Sequence, residues 1–134
     1  MKVHHIGYYV KQMEAARAAF QKLGYEELEG VVQDDDRSIR ICFLKNGTEV
    51  VELVEPEERS PFDNKKLRKM GNTPYHICYE AEDLERAIIA MQDDGYFLVQ
   101  PPAPAVAIGG RRVAFLYHDD VGLLELVEVE HGDK

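Results

Sequence analysis

The chain repeats itself, and the repeat limits the folds open to it. His5-Ile6-Gly7-Tyr8 returns as His76-Ile77-Cys78-Tyr79, an offset of 71 (76 − 5). At the same offset Glu14 matches Glu85, Ala16 matches Ala87, Ala19 matches Ala90, Gly24 matches Gly95 and Tyr25 matches Tyr96. Glu52-Leu53-Val54-Glu55 returns as Glu125-Leu126-Val127-Glu128 at an offset of 73 (125 − 52), and a loop longer by two residues explains the drift. The pattern is that of two copies of one module, each with a histidine near its start and a glutamate near its end. A chain of 134 residues can hold both copies in a single domain.

Local signals give each copy the same element order. Val3 to Val10 is rich in β-branched and aromatic residues and predicts a strand. Over residues 12–23 the spacing becomes helical, with Met13, Ala16, Phe20 and Leu23 on one side and Gly24 as the stop. Strands are expected near 26–34, 38–45 and 48–55, the last two joined by a hairpin at Asn46-Gly47. The second copy reads as a strand over 74–81, a helix over 83–94 with Leu84, Ala87, Ile88 and Met91 inward, and strands near 96–100, 111–117 and 122–129. The prediction is an α+β fold of two tandem βαβββ modules, about 1–56 and 74–131, forming one metal-binding cleft. A linking loop, about 57–73, joins them and carries Lys65, Lys66, Arg68 and Lys69. Its length marks it as more than a turn. Pro101-Pro102-Ala103-Pro104 to Gly110 reads as a second irregular stretch, since its prolines exclude a central strand.

Strand alternation then sorts the side chains. Ile6, Tyr8 and Val10 share one face of the first strand, expected to pack on the helix, and His5 points to the other. Tyr75, Ile77 and Tyr79 repeat this around His76. Glu52 opposes Val51 and Leu53, and Glu125 opposes Leu124 and Leu126. One such histidine or glutamate is usually a half-buried or solvent-facing residue. Four at equivalent positions, all on the inner faces, are a different matter. Two buried carboxylates repel each other and lose hydration, and a divalent cation removes that difficulty. His5, Glu52, His76 and Glu125 are therefore the expected metal ligands. Nitrogen and oxygen donors without sulfur suit Zn, Ni, Co, Mn or Fe(II).

Composition narrows the partners. The formal net charge of −9 argues against nucleic acid and against an anionic membrane surface. No apolar run approaches the roughly 20 residues of a membrane span, and the first residues read as a strand, so a cytoplasmic protein is expected. Cys42 and Cys78 lie in strand-like runs, where a buried free thiol is the ordinary reading. His4 alternates away from His5, His118 falls in the last hairpin as an exposed turn residue, and His131 lies near the C-terminus.

The opening HHIGYYV with its helix, the second TPYHICYEAEDLERA and the closing GGRRVAFLYHDDVGLLELVE resemble the vicinal oxygen chelate superfamily. That superfamily includes glyoxalase I, methylmalonyl-CoA epimerase, extradiol dioxygenases and antibiotic-resistance proteins. The resemblance implies paired βαβββ modules, a divalent metal on His5, Glu52, His76 and Glu125, and a homodimer. The ligand set looks like that of glyoxalase I, whereas methylmalonyl-CoA epimerases often place Gln at the second position. The epimerases also carry a glutamate base on the third strand, where this chain aligns Arg40. Glyoxalase I has an Asn shortly after the second ligand, and here Leu53-Val54-Glu55-Pro56 follows.

The expected activity is that of a metal-dependent lyase or isomerase of the glyoxalase I or methylmalonyl-CoA epimerase type. A metal-chelated carbonyl would acidify the neighbouring carbon, and proton abstraction would pass through an enediolate. Glu125 is the expected base, with Glu52 serving the opposite face. The substrate is a small molecule, a thioester or a 2-oxo compound, with Arg40, Arg111 and Arg112 as candidate contacts. A non-catalytic drug-sequestering protein is the alternative, followed by an Fe(II) dioxygenase.

Overall fold

The computed structural model describes residues 1–60 and 65–130. The chain divides into two compact units, one of His5–Tyr75 and one of His76–Lys134 together with Met1–His4. Pro61, Asn64 and His131 lie outside the described residues.

In the first unit β1 (Val3–Tyr9) leads through α1 (Met13–Lys22) to β2 (Glu26–Asp34), β3 (Ile39–Asn46) and β4 (Glu49–Pro56). The strands lie in the order β2-β3-β4-β1. β4 runs antiparallel to β3 and parallel to β1, with Gly7 opposite Glu52. Met13 and Ala16 of α1 are buried against Val10, Cys42, Leu44, Val51 and Leu53. Phe20 stacks edge-on to Tyr8 and Tyr25, at 5.1 and 5.2 Å between centroids. The helix stops at Gly24, whose φ of +105° is open to glycine at little cost. Leu23, expected inward, is exposed: it is the C-cap, past the last buried turn. The basic segment that closes this unit forms a short helix, α2 (Lys65–Met70), where the sequence predicted only loop.

The second unit repeats the plan. β5 (Thr73–Ala81), α3 (Leu84–Asp93), β6 (Phe97–Pro104), β7 (Arg112–His118) and β8 (Gly122–Glu128) follow in turn, ordered β5-β8-β7-β6. Cys78 sits opposite Glu125 across the parallel β5–β8 pair, as Gly7 sits opposite Glu52. Leu84 and Ile88 pack with Ala114, Leu116, Leu124 and Leu126. Asp83 caps α3 through the backbone N–H of Arg86, 3.1 Å away, a bond worth about 1 kcal/mol. Lys2 belongs to this unit, its carbonyl accepting the Glu80 N–H at 2.8 Å.

Two strand expectations need correction. β6 does not end near 100 but runs on through Pro101 and Pro102 to Pro104. It stands last in its order and shifts register twice against β7, and an edge with bulges tolerates residues that lack an N–H. Ile6 and Ile77 were assigned to the helix-facing side, and both are 38% exposed, because only Tyr8 and Val10, or Tyr79 and Ala81, reach the helix contacts. The hairpin expected within Lys45-Asn46-Gly47-Thr48 is present, its two-residue loop being Gly47-Thr48.

Candidate functional site

Each unit buries one histidine against one glutamate in the same local frame. In the first, His5 Nε2 lies 3.3 Å from Glu52 Oε1. In the second, His76 Nε2 lies 3.1 Å from Glu125 Oε1. The pairing registers explain the match. Glu52 is opposite Gly7, so same-face His5 lies on the diagonal two residues back; Glu125 is opposite Cys78 and His76 is its diagonal neighbour. The four residues are between 1% and 8% exposed.

A phenylalanine completes each arrangement. Phe43 pairs with Glu52 across β3–β4, and its ring meets the His5 ring at 5.1 Å in an edge-to-face contact. Phe115 pairs with Glu125 across β7–β8 and meets His76 at 5.3 Å in the same way. These rings fix the imidazole planes. The sequence reading passed over both, although Phe43 and Phe115 recur at an offset of 72 (115 − 43) and share strand parity with the ligand face.

The donor sets suit a divalent ion. Ligand atoms about 2.1 Å from a shared ion and at right angles to one another lie about 3.0 Å apart. Separations of 3.3 and 3.1 Å are close to that spacing. Imidazole nitrogen with carboxylate oxygen, and no sulfur among these four, is the chemistry of borderline and hard metals.

The arginines proposed from the sequence as substrate contacts face elsewhere. Arg40 shares its strand face with Cys42 and Leu44, on the side of α1. It binds Glu55 at 2.9 Å and Glu14 at 2.8 Å. Arg112 repeats this on α3, binding Glu85 at 2.6 Å and Glu128 at 3.2 Å. Each arginine thus ties a helix to two strands, and its side chain belongs to an ion-pair triad of its own unit. Arg111 donates from Nε to the Glu128 carbonyl at 2.9 Å. The ligand-facing side of β3 instead carries Ile39, Ile41, Phe43 and, exposed near the strand's end, Lys45, so among the described residues β3 offers that face no carboxylate. His118, expected to be an exposed turn residue, is tucked against Tyr96 with ring centroids 4.6 Å apart.

Comparison with known proteins accounts for the repeated frame. Residues 4–115 match the family model of the glyoxalase/bleomycin resistance protein/dioxygenase superfamily. The chain belongs to this superfamily. It is 29% identical to the ethylmalonyl-CoA/methylmalonyl-CoA epimerase of Cereibacter sphaeroides, over 96% of this chain and 98% of that protein. A hypothetical protein from Bacillus halodurans has the same fold, with a TM-score of 0.83 and 27% identity, over 99% of this chain and 97% of that one. Methylmalonyl-CoA epimerase from Mycobacterium tuberculosis shares the fold at a TM-score of 0.81 and 24% identity, covering 96% and 88%. Two mixed βαβββ units are thus the superfamily's architecture, as the sequence predicted. No helix among the described residues is long and apolar enough to cross a membrane.

Proposed function

We propose that this chain is a divalent-metal-dependent epimerase that inverts the carbon next to the carbonyl of an acyl-CoA thioester. His5, Glu52, His76 and Glu125 would hold one ion, and Glu52 and Glu125 would move the proton. The observation that carries the reading is the buried His–Glu pair present in the same frame in each unit. Epimerase names among the relatives favour this chemistry over the glyoxalase I reaction that the ligand set also allows.

A bound ion supplies a Lewis acid that makes the carbon–hydrogen bond beside a carbonyl more acidic. The rest falls to the protein. A carboxylate oxygen of Glu125 would accept the proton and a protonated Glu52 would return one to the opposite face, leaving Glu125 protonated and Glu52 ionised. Proton exchange with solvent after product release would restore the starting state, so inversion needs no net gain or loss of atoms or electrons. With no carboxylate on this face of β3, and Lys45 exposed near the strand's end, Glu52 is the buried carboxylate that would take the second role. Burial of both carboxylates keeps bulk water from supplying the return proton at random. His5 and His76, locked by Phe43 and Phe115, fix where the two carboxylates point. A homodimer, implied by the resemblance, belongs to the same proposal and is read by sedimentation.

The test is solvent exchange. Metal-loaded protein is incubated in deuterium oxide with (2R)- or (2S)-methylmalonyl-CoA, and α-proton loss and configuration are followed by NMR. Exchange with inversion is expected, and Glu125→Gln should slow it by roughly 100- to 10,000-fold. Exchange at the wild-type rate by a Glu125→Gln protein that still holds metal would remove Glu125 as the base. If the wild type instead isomerises the methylglyoxal–glutathione hemithioacetal and leaves methylmalonyl-CoA untouched, the glyoxalase reading replaces this one.

A further inference from the structure

The two units are alike around the His–Glu pairs and unlike at one matching place on their surfaces. In the first unit a cavity of about 370 Å³ is lined by Tyr9, Val10, Lys11, Pro56 and Arg68. In the second a cavity of about 470 Å³ is lined by residues that include Lys2, Glu80, Ala81, Glu82 and Val129. The repeat relates the two linings. Tyr9, Val10 and Lys11 correspond to Glu80, Ala81 and Glu82 at the offset of 71, and Pro56 corresponds to Val129 at the offset of 73. The first cavity therefore carries Lys11 and Arg68 and no acidic residue, where the second carries Glu80, Glu82 and Asp83 against Lys2 alone. Lys65, Lys66, Arg68 and Lys69 lie on a six-residue helix of the first unit, a local concentration of positive charge in a chain whose net charge is −9. Local cationic potential of that kind concentrates an anionic ligand even on an acidic protein.

Distance ties this cavity to the chemistry of the same unit. From His5 to Tyr9 the strand advances four residues, about 13 Å at the usual rise. The arm of coenzyme A, from its sulfur to its first phosphorus, has as many chain bonds as roughly four residues, so it extends to about 15 Å. We infer that Lys11 and Arg68 form the subsite for the phosphates of an acyl-CoA, and that the glutamate-lined counterpart excludes them. The inference rests on the proposed thioester substrate. It adds direction: the acyl group enters with its nucleotide on the side of the first unit, so the two carboxylates of a symmetric frame meet an asymmetric substrate in one orientation.

Coenzyme A and pantetheine are titrated into the wild type, Lys11→Glu, Arg68→Glu and the double variant by calorimetry. Lys2→Glu, in the other cavity, is the control. Lys2, Lys11 and Arg68 are exposed, and circular dichroism verifies that the variants fold. Each single reversal should weaken coenzyme A at least about ten-fold, the double change about 100-fold or more, and added salt should shrink the difference. Pantetheine, which lacks the phosphates, should bind all proteins alike, and Lys2→Glu should match the wild type. Unchanged coenzyme A affinity in the double variant overturns the inference, as does an equal loss for Lys2→Glu. The epimerase reading fails by a separate result: charge-dependent coenzyme A binding by a wild type that exchanges no α-proton leaves the subsite standing and removes the reaction.

Discussion

Glu125 is set 3.1 Å from His76 and is 6% exposed. A carboxylate in that position loses hydration and is worth little to the fold unless a cation offsets the loss. Glu125→Gln keeps the shape and an oxygen donor while removing the charge. If the carboxylate is there for an ion, its removal should have opposite consequences with and without metal. Under a chelator the melting temperature should stay within about 4 °C of the wild type or rise. For 134 residues, an unfolding entropy of about 2.1 cal/mol/K per residue gives about 0.28 kcal/mol per degree. Free ion at 100 times its dissociation constant stabilises by about 2.7 kcal/mol, hence about 10 °C. A ten-fold loss of affinity would leave the variant about 1.4 kcal/mol at the same ion concentration, or about 5 °C. Differential scanning fluorimetry with Zn, Co, Ni or Mn against a chelator reads both numbers. An equal ion-induced shift in the two proteins would show that Glu125 is no ligand, and a large loss under chelator would show that the carboxylate supports the fold without an ion.

Other consequences follow from the same geometry. Arg40 holds the Glu14 carboxyl below its ordinary value of 4.5, and Arg112 does the same for Glu85 and Glu128. A lowered carboxyl adds stability above the unfolded value that is lost as pH falls through the folded one, so acid unfolding should steepen below about pH 4.5, and less so in Arg112→Ala, as measured by denaturation at stepped pH. Burial pushes the Cys42 thiol up to about 11, so it should resist an aromatic disulfide reagent at pH 8 until the protein is unfolded. Leu126→Ala at a fully buried position should cost about 2–5 kcal/mol in urea unfolding, and a cost under 1 kcal/mol would show that the second core is not packed as described.

What could be read in the sequence depended on periodicity, and what could not depended on three-dimensional choice. The repeat, the alternation around His5 and His76 and the helical spacing of Leu84, Ala87, Ile88 and Met91 each follow from a fixed geometric period, so element type and order were legible. Leu23 was not, because a periodic pattern continues through a C-cap that the chain has already left. Pro101 and Pro102 signalled only that no central strand could pass there. Whether an edge strand would accept them depended on β7, which a local reading does not contain. Arg40 and Arg112 show the limit for function. Cationic residues on strands near a proposed site suggest substrate contact, yet parity alone put Arg40 with Cys42 and Leu44 on the helix side, and the partner glutamates come from helix and strand together.

The repeat also shows which contacts a shared fold needs and which a substrate needs. The arginine triads appear in both units, Arg40 with Glu14 and Glu55, and Arg112 with Glu85 and Glu128. So do the phenylalanine walls and the His–Glu pairs. Each helix must be fastened to its own strands, and each unit must present one pair, so duplicate solutions serve. The residues at Lys11 and Glu82 answer to a different demand. In the proposed reaction one glutamate from each unit would serve one face of a carbon, while an acyl-CoA thioester carries a nucleotide at one end only. Binding such a substrate in one orientation would require the two units to differ where the tail is held. Opposite charges at Lys11 and Glu82 match that requirement, and a substrate bound in one orientation would let Glu52 and Glu125 act as acid and base in a fixed order, as proposed.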